Sequence, residues 1–146
     1  MINPAMQRQL DHWPGKYMVP ASGVATVNVD NPLNHAFLVL TADHFSKIVV
    51  VDNEGHYCGQ LSLSMITEKI IKTDKIDVNL LDQLTVADAM EEDKAVTNDP
   101  DNFEYNYRLL MDRSFIPVVG SHGEFCGIVT RRKLMDALNY VMHTLH

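Results

Sequence analysis

Apolar and polar positions along the chain change period in blocks, and the blocks recur. Val24 to Val29 reads as a short strand; after the Asn31-Pro32 break, Leu33, Ala36, Phe37 and Leu40 fall at helical spacing. Ile48 to Val51 is a continuous β-branched run, which suits a strand buried on both faces. Asp52-Asn53-Glu54-Gly55 supplies a turn into a second strand, Tyr57 to Leu63, so the pair reads as a hairpin. A helix is predicted from about Ser64 to Lys72. The same order then returns: a strand at Ala95 to Thr97, a helix through Tyr107 and Met111, and a strand from Ile116 to Val119. A turn at Ser121-His122-Gly123, a strand Phe125 to Thr130 and a last helix complete it, the helix carrying Leu134, Leu138, Val141 and Leu145 on one stripe. Pro4 to Trp13 reads as an extra small helix stopped by Pro14-Gly15.

Shifting the chain by 68 positions superimposes the two copies without a gap. Pro32 meets Pro100, Asn34 meets Asn102, Ser46 meets Ser114, Ile48 meets Ile116, and Val50-Val51 meets Val118-Val119. Gly55 then meets Gly123, and Cys58-Gly59 meets Cys126-Gly127. A β-α-β-β-α unit of this size cannot close a core alone, so the copies are expected to pack sheet against sheet, share one core and form a single domain. The expected organisation is a helical extension over 1–16, a first repeat over 17–72, a linker over 73–84 and a second repeat over 85–146. Apolar Ile76, Val78, Leu80 and Leu81 predict that the linker packs.

With 146 residues, 46% hydrophobic and 21% charged, the chain has globular composition and should fold throughout. A formal net charge of −7 disfavours general nucleic-acid binding and confines any anion site to a local basic pocket. Two cysteines, Cys58 and Cys126, are too few for a disulfide framework and wrongly spaced for zinc; they read as small packing residues in a reducing compartment. No apolar run reaches the length of a membrane span, and the residues through Arg8 and Asp11 lack the apolar stretch of a signal peptide, so a cytoplasmic location is expected. No nucleophile elbow, P-loop or His-Glu-x-x-His helix occurs, so no catalytic residue is assigned and an enzyme is not expected. His143 and His146 are read as solvated surface, with no metal site, and Glu91-Glu92-Asp93 as a solvated turn between repeats.

The strongest local signal is Arg131-Arg132-Lys133, placed directly after the strand ending at Thr130, which is expected to cap the following helix. Cations in a first helical turn oppose the macrodipole, at a cost of about 0.3–1 kcal/mol each when exposed, and call for an anion or a carboxylate. A phosphate would meet that need, held by helix-start amides, the Thr130 hydroxyl and the arginine forks; the plainer reading is that long basic side chains reach water. The first copy has uncharged Leu63, Ser64 and Met65 at the matching places, so only one pocket is charged.

Phe115-Ile116-Pro117-Val118-Val119, then Gly123, then Gly127-Ile128-Val129-Thr130, resembles the signature half of a CBS domain, and Ile48 to Ser62 is similar. The resemblance runs from about Met18 to the C-terminus. It implies an α/β (α+β) fold of two tandem CBS repeats packed as one Bateman module, a regulatory fold that usually binds adenine nucleotides. Most mononucleotide-binding members carry an aspartate three residues after the threonine, where this chain has Lys133 and Met65, which disfavours ordinary ribose recognition and favours a phosphate-rich ligand. Length, the Leu33 to Thr41 segment and Thr130-Arg131-Arg132 resemble the stand-alone CBS-pair receptors for cyclic di-AMP of Gram-positive bacteria.

That resemblance implies an adenine cleft lined by Ala25 and Val27, base and phosphate contacts from Phe45, Ser46 and Lys47, and a phosphate grip from Thr130, Arg131 and Arg132. Gly23 stands where a relative carries a basic side chain, a loss that Lys47 would offset; core packing is the alternative reading of Ala25, Val27 and Phe45. The family further implies second-messenger signalling to a (p)ppGpp synthetase-hydrolase, and a homodimer, for which the stripe at Leu134, Leu138, Val141 and Leu145 offers a surface. An AMP, ADP or ATP energy sensor and a ligand-free dimerisation module are the competing expectations.

Overall fold

The computed structural model describes residues 1–144. In chain order the elements are α1 (Pro4–His12), β1 (Met18–Pro20), a 3-10 turn (Ala21–Gly23), β2 (Thr26–Asn28), α2 (Leu33–Ala42), β3 (Lys47–Val51), β4 (Tyr57–Ser62) and α3 (Leu63–Ile70). They continue with α4 (Leu80–Gln83), α5 (Val86–Ala89), α6 (Phe103–Leu110), β5 (Phe115–Val119), β6 (Phe125–Thr130) and α7 (Arg131–Thr144). The expected strand at Ala95 to Thr97 is reduced to one parallel bridge, Thr97 to Val118. The helices after both hairpins start on hydroxyl caps: Ser62 Oγ accepts from the Met65 N–H and Thr130 Oγ1 from the Lys133 N–H, each at 3.2 Å.

The chain forms two compact units that do not coincide with the sequence repeats. One comprises Ala25–Lys94 with His122–Phe125. Its sheet has the order β2-β3-β4, with β2 parallel to β3 and β3 antiparallel to β4. Ile48, Val49 and Val50 are all buried, as the unbroken β-branched run requires, and Val27, Leu33, Leu40, Leu61 and Ile66 belong to this unit's core. In the hairpin turn, the Asp52 carboxylate accepts from the backbone N–H of His56 and of Glu54 at 2.9 Å each, which holds its carboxyl below the usual range. Gly55 closes that turn at φ 82°, a value that favours glycine.

The other unit comprises Met1–Val24, Ala95–Ser121 and the chain from Cys126 onward. Its sheet has the order β1-β6-β5, with Met18 opposite Val129 and Pro20 opposite Gly127. Leu10 from α1, Tyr17, Phe103, Ile116, Val129 and Leu134 belong to its own buried cluster. Each unit thus closes a core of its own, where the sequence predicts one shared core. Segments from outside each hairpin's own repeat supply the missing cover: α1 and β1 in one unit, α4 and α5 in the other.

The same glycine performs one task in each unit. Met90-Glu91-Glu92 runs along β4, where Gln60 and Glu91 exchange backbone hydrogen bonds at 3.0 Å, and a Cβ on Gly59 would overlap the Glu91 carbonyl oxygen. In the other unit a Cβ on Gly127 would overlap the Val19 carbonyl oxygen of β1. The Cys-Gly pairs of the repeat therefore mark where a distant backbone segment lies flush on a strand.

The copies also differ in register. After the helix the shift of 68 holds, but α2 has ten residues and α6 eight, each followed by four residues before its strand. Leu33 is accordingly matched by Phe103, Ala36 by Asn106 and Leu40 by Leu110, all buried, so the Pro32–Pro100 and Asn34–Asn102 identities do not mark equivalent positions. The linker reading needs amendment as well: Leu81 is buried, but Ile76 and Val78 are exposed.

Replacing Gly59 or Gly127 by alanine should lower stability by about 1–3 kcal/mol, the usual range for added bulk in a packed site. Urea denaturation of the two variants checks this; unchanged midpoints would contradict the close backbone approach.

Candidate functional site

The residues singled out from sequence fall into two sets, one in each unit. Ala25, Val27, Phe45, Ser46 and Lys47 lie in the unit built on β3, and Gly23, Thr130, Arg131 and Arg132 in the unit built on β6. Within the first set, Val27 is a core residue of β2 and Ala25 packs at the margin of the same cluster, so their side chains serve packing. The loop between α2 and β3 turns at His44, whose φ of 56° is uncommon for a residue with a side chain and costs roughly 1–2 kcal/mol. The turn leaves Phe45 and Ser46 exposed. Lys47 Nζ lies 2.7 Å from Glu91 Oε1, with both side chains partly exposed. Glu91 therefore pairs through its backbone with Gln60 and through its carboxylate with Lys47, which replaces the reading of Glu91-Glu92-Asp93 as merely a solvated turn.

In the second set, Gly23 ends the 3-10 turn, is exposed, and has room for a side chain: a Cβ there would meet only Val19 Cγ1, at 3.5 Å. The two arginines have different partners. Arg131 donates from Nε to the Leu110 carbonyl at 3.0 Å and from a terminal nitrogen to the Arg113 carbonyl at 2.9 Å. Leu110 ends α6, so its carbonyl has no helical successor, and the guanidinium closes that end. Arg132 reaches forward one turn to Asp136, Nε to Oδ1 3.2 Å, with its side chain 84% exposed. Asp136 is the carboxylate that a cation-rich first turn needs, and its i,i+4 spacing from Arg132 was the available sequence signal. The role of Arg131 had no such signal, because its acceptors are backbone atoms some twenty residues away.

Lys47 and Arg132 are thus cations held by partly exposed carboxylates. Such pairs contribute about 0–1 kcal/mol, so either side chain is released from its carboxylate at little cost. Phe45 supplies an exposed ring face and Ser46 a hydroxyl. Burial pushes the Cys58 thiol above its usual value, which favours the protonated form. Among the described residues no His/Cys/Asp/Glu group could hold a metal ion, and no helix is long and apolar enough to cross a membrane.

The stripe on α7 serves its own unit: Leu134 and Val141 are buried in the core, while Leu145, like His146, lies outside the described residues. The exposed large apolar side chains near α6 and α7 include Tyr107, Met111, Met135 and Met142. Tyr107, Met111 and Met135, with Leu138 and Arg131, line a groove of about 360 Å³ along α6 and α7.

The CBS domain family matches this chain twice, at residues 16–72 and 84–140. The chain belongs to the CBS-domain family. Its two CBS repeats account for the duplicated α+β elements, and the pair resembles CbpB. Cyclic di-AMP receptor B of Bacillus subtilis (strain 168) is 31% identical over 146 residues, which is 100% of this chain and 99% of that protein. The crystal structure of the CbpB protein from Listeria monocytogenes is 41% identical, covers 84% of this chain and 95% of that one, and superimposes with a TM-score of 0.78. The CbpB structure from the same organism in complex with c-di-AMP is 40% identical, covers 86% and 94%, and gives a TM-score of 0.80.

Arg131→Met should cost about 1–3 kcal/mol of stability by removing charged hydrogen bonds from the end of α6, whereas Arg132→Met should change it by less than about 0.5 kcal/mol. Thermal melts of the two variants without ligand test the division; equal losses would refute it.

Proposed function

We propose that this CBS pair is a cyclic di-AMP receptor: a cytoplasmic, non-catalytic regulatory protein whose occupancy changes its fit to a partner enzyme. The observation that carries the reading is the 40% identity, across 86% of this chain and 94% of the other, to a CbpB protein solved with c-di-AMP. The local chemistry supports it. Arg132 is exposed and weakly paired, Phe45 offers a ring face, and Lys47 and Ser46 stand beside it in sequence. Thr130 caps α7, whose first turn carries the basic triplet and presents backbone amides suited to an anion.

Lys133 is central to the choice of ligand. It stands where a carboxylate would take up ribose hydroxyls, and a cyclic dinucleotide has its 3′-hydroxyls consumed in two phosphodiesters. AMP, ADP or ATP in the same place would leave ribose hydroxyls without that acceptor. Regulation then follows from differential affinity: if the liganded and free forms bind the partner unequally, the partner in turn biases ligand binding by the same factor. The resemblance supplies the partner class, a (p)ppGpp synthetase-hydrolase, linking the receptor to the stringent response.

Titration calorimetry with cyclic di-AMP, AMP and ATP tests the ligand. Cyclic di-AMP should bind most tightly. Arg132→Met should weaken it about tenfold to a hundredfold, since a charged hydrogen bond contributes roughly 1.5–3 kcal/mol. Tight mononucleotide binding without cyclic di-AMP binding would select the energy-sensor reading, and no heat with any nucleotide would select a pure interaction module.

The proposed homodimer uses the open apolar face of α6 and α7, with Tyr107, Met111 and Met135, instead of the buried α7 stripe. Sedimentation at micromolar concentration should give a dimer, and Met111→Glu combined with Met135→Glu should shift it to monomer; a monomeric parent protein would remove this part of the proposal.

A further inference from the structure

The unit built on β6 contains a second cavity, lined by none of the residues proposed to hold the nucleotide. Its volume is about 660 Å³, and its walls include Asp11 at the end of α1, Trp13, Lys16 and Tyr17 in the segment leading to β1, and Asp101 just before α6. That volume lies within the range of small-ligand sites and accommodates a long side chain together with flanking peptide.

The aromatic part of the wall is built, and its construction is visible in the sequence. The rings of Trp13 and Tyr17 lie 4.8 Å apart at 48°, and Tyr17 in turn meets Phe103 edge-on at 6.0 Å. Gly15 makes the arrangement possible, because a Cβ there would overlap the Trp13 indole. Tyr17 is only 9% exposed, yet its hydroxyl forms no hydrogen bond among the described residues. The hydroxyl oxygen itself is not sealed from solvent, so it is open to a donor that enters the cavity. Burial and then the carboxylates of Asp101 and Asp11 push its ionisation up to about 12, so it stays a neutral hydroxyl, available as an acceptor, in a field that favours positive charge.

We propose that this cavity binds a guanidinium group, presented as the arginine side chain of a protein partner, with the Trp13 indole against its plane, Asp11 and Asp101 balancing its charge and the Tyr17 hydroxyl accepting one N–H. A planar, weakly hydrated guanidinium stacks on an indole and forks onto carboxylates, whereas an ammonium is more strongly hydrated and has no stacking plane. Lys16 on the same wall offsets one of the two negative charges, and Asp11 already accepts from Gln7 Nε2 at 2.9 Å, so Asp101 is the carboxylate the site depends on more. The net charge of −7 favours approach of a basic partner segment. The inference is independent of the nucleotide reading, since it involves none of those residues.

Trp13 is the only tryptophan, so indole fluorescence of the full chain reports on this cavity alone. The probe is acetyl-Ala-Arg-Ala-amide, compared with the citrulline peptide, which keeps the shape and loses the charge, with calorimetry run alongside to register any binding that leaves fluorescence unchanged. The arginine peptide should give a saturable change, and binding should be at least tenfold weaker for the citrulline peptide and for Asp101→Asn. Lys16→Ala should bind at least as tightly as the parent, and saturating cyclic di-AMP should leave the titration in place. Equal binding of the two peptides, full affinity in Asp101→Asn, or no saturable signal by either method would overturn the proposal. Thermal melts of Asp101→Asn and Lys16→Ala verify that both variants are folded.

Discussion

Much of the architecture depends on two places where a strand accepts a backbone segment from far along the chain at a distance only glycine permits. β1 lies on β6 at Gly127, and Met90-Glu91-Glu92 lies on β4 at Gly59. A strand edge needs a hydrogen-bonding neighbour, and both hairpins obtain theirs from outside their own repeat. Consequences for chemistry follow. The segment on β4 delivers the Glu91 carboxylate to Lys47, and the segment on β6 leads through the 3-10 turn to Gly23.

The basic triplet shows how one stretch of charge divides into unlike roles. Arg131 is tied to backbone carbonyls at the end of α6 and belongs to the scaffold; Arg132, one residue on, faces solvent with a single carboxylate beside it. Helical geometry places successive residues about 100° apart, so adjacent arginines at a helix start meet different surroundings. The proposed receptor uses this division, with one guanidinium fixing the helix start and the next held loosely.

The duplication, hairpins and helices were legible because their signals are local: β-branched runs, turn glycines and 3.6-residue spacing. The cap on Thr130 belongs to the same class. What escaped the sequence was set by distance. Nothing near Thr73 distinguishes Leu81, which finds the core, from Val78, which does not. Leu134 and Val141 of the α7 stripe fall on the buried face, but the pattern cannot tell whether that face meets its own core or another molecule. The register of the second copy slipped because α6 is two residues shorter than α2, and two chance identities masked the change. Of the candidate site, the residue types were readable; their occupation by Glu91, Asp136 and the α6 carbonyls was not.

The interleaving of the two units also constrains how the chain acquires its shape during synthesis. β1 is synthesised more than a hundred residues ahead of β6, its partner in the sheet. It must therefore wait, solvated and unpaired, until β6 has emerged. Closing so long a loop slows assembly and makes the late steps concerted. A nascent chain halted before β6 would retain an unmatched apolar segment around β1, a natural target for chaperones.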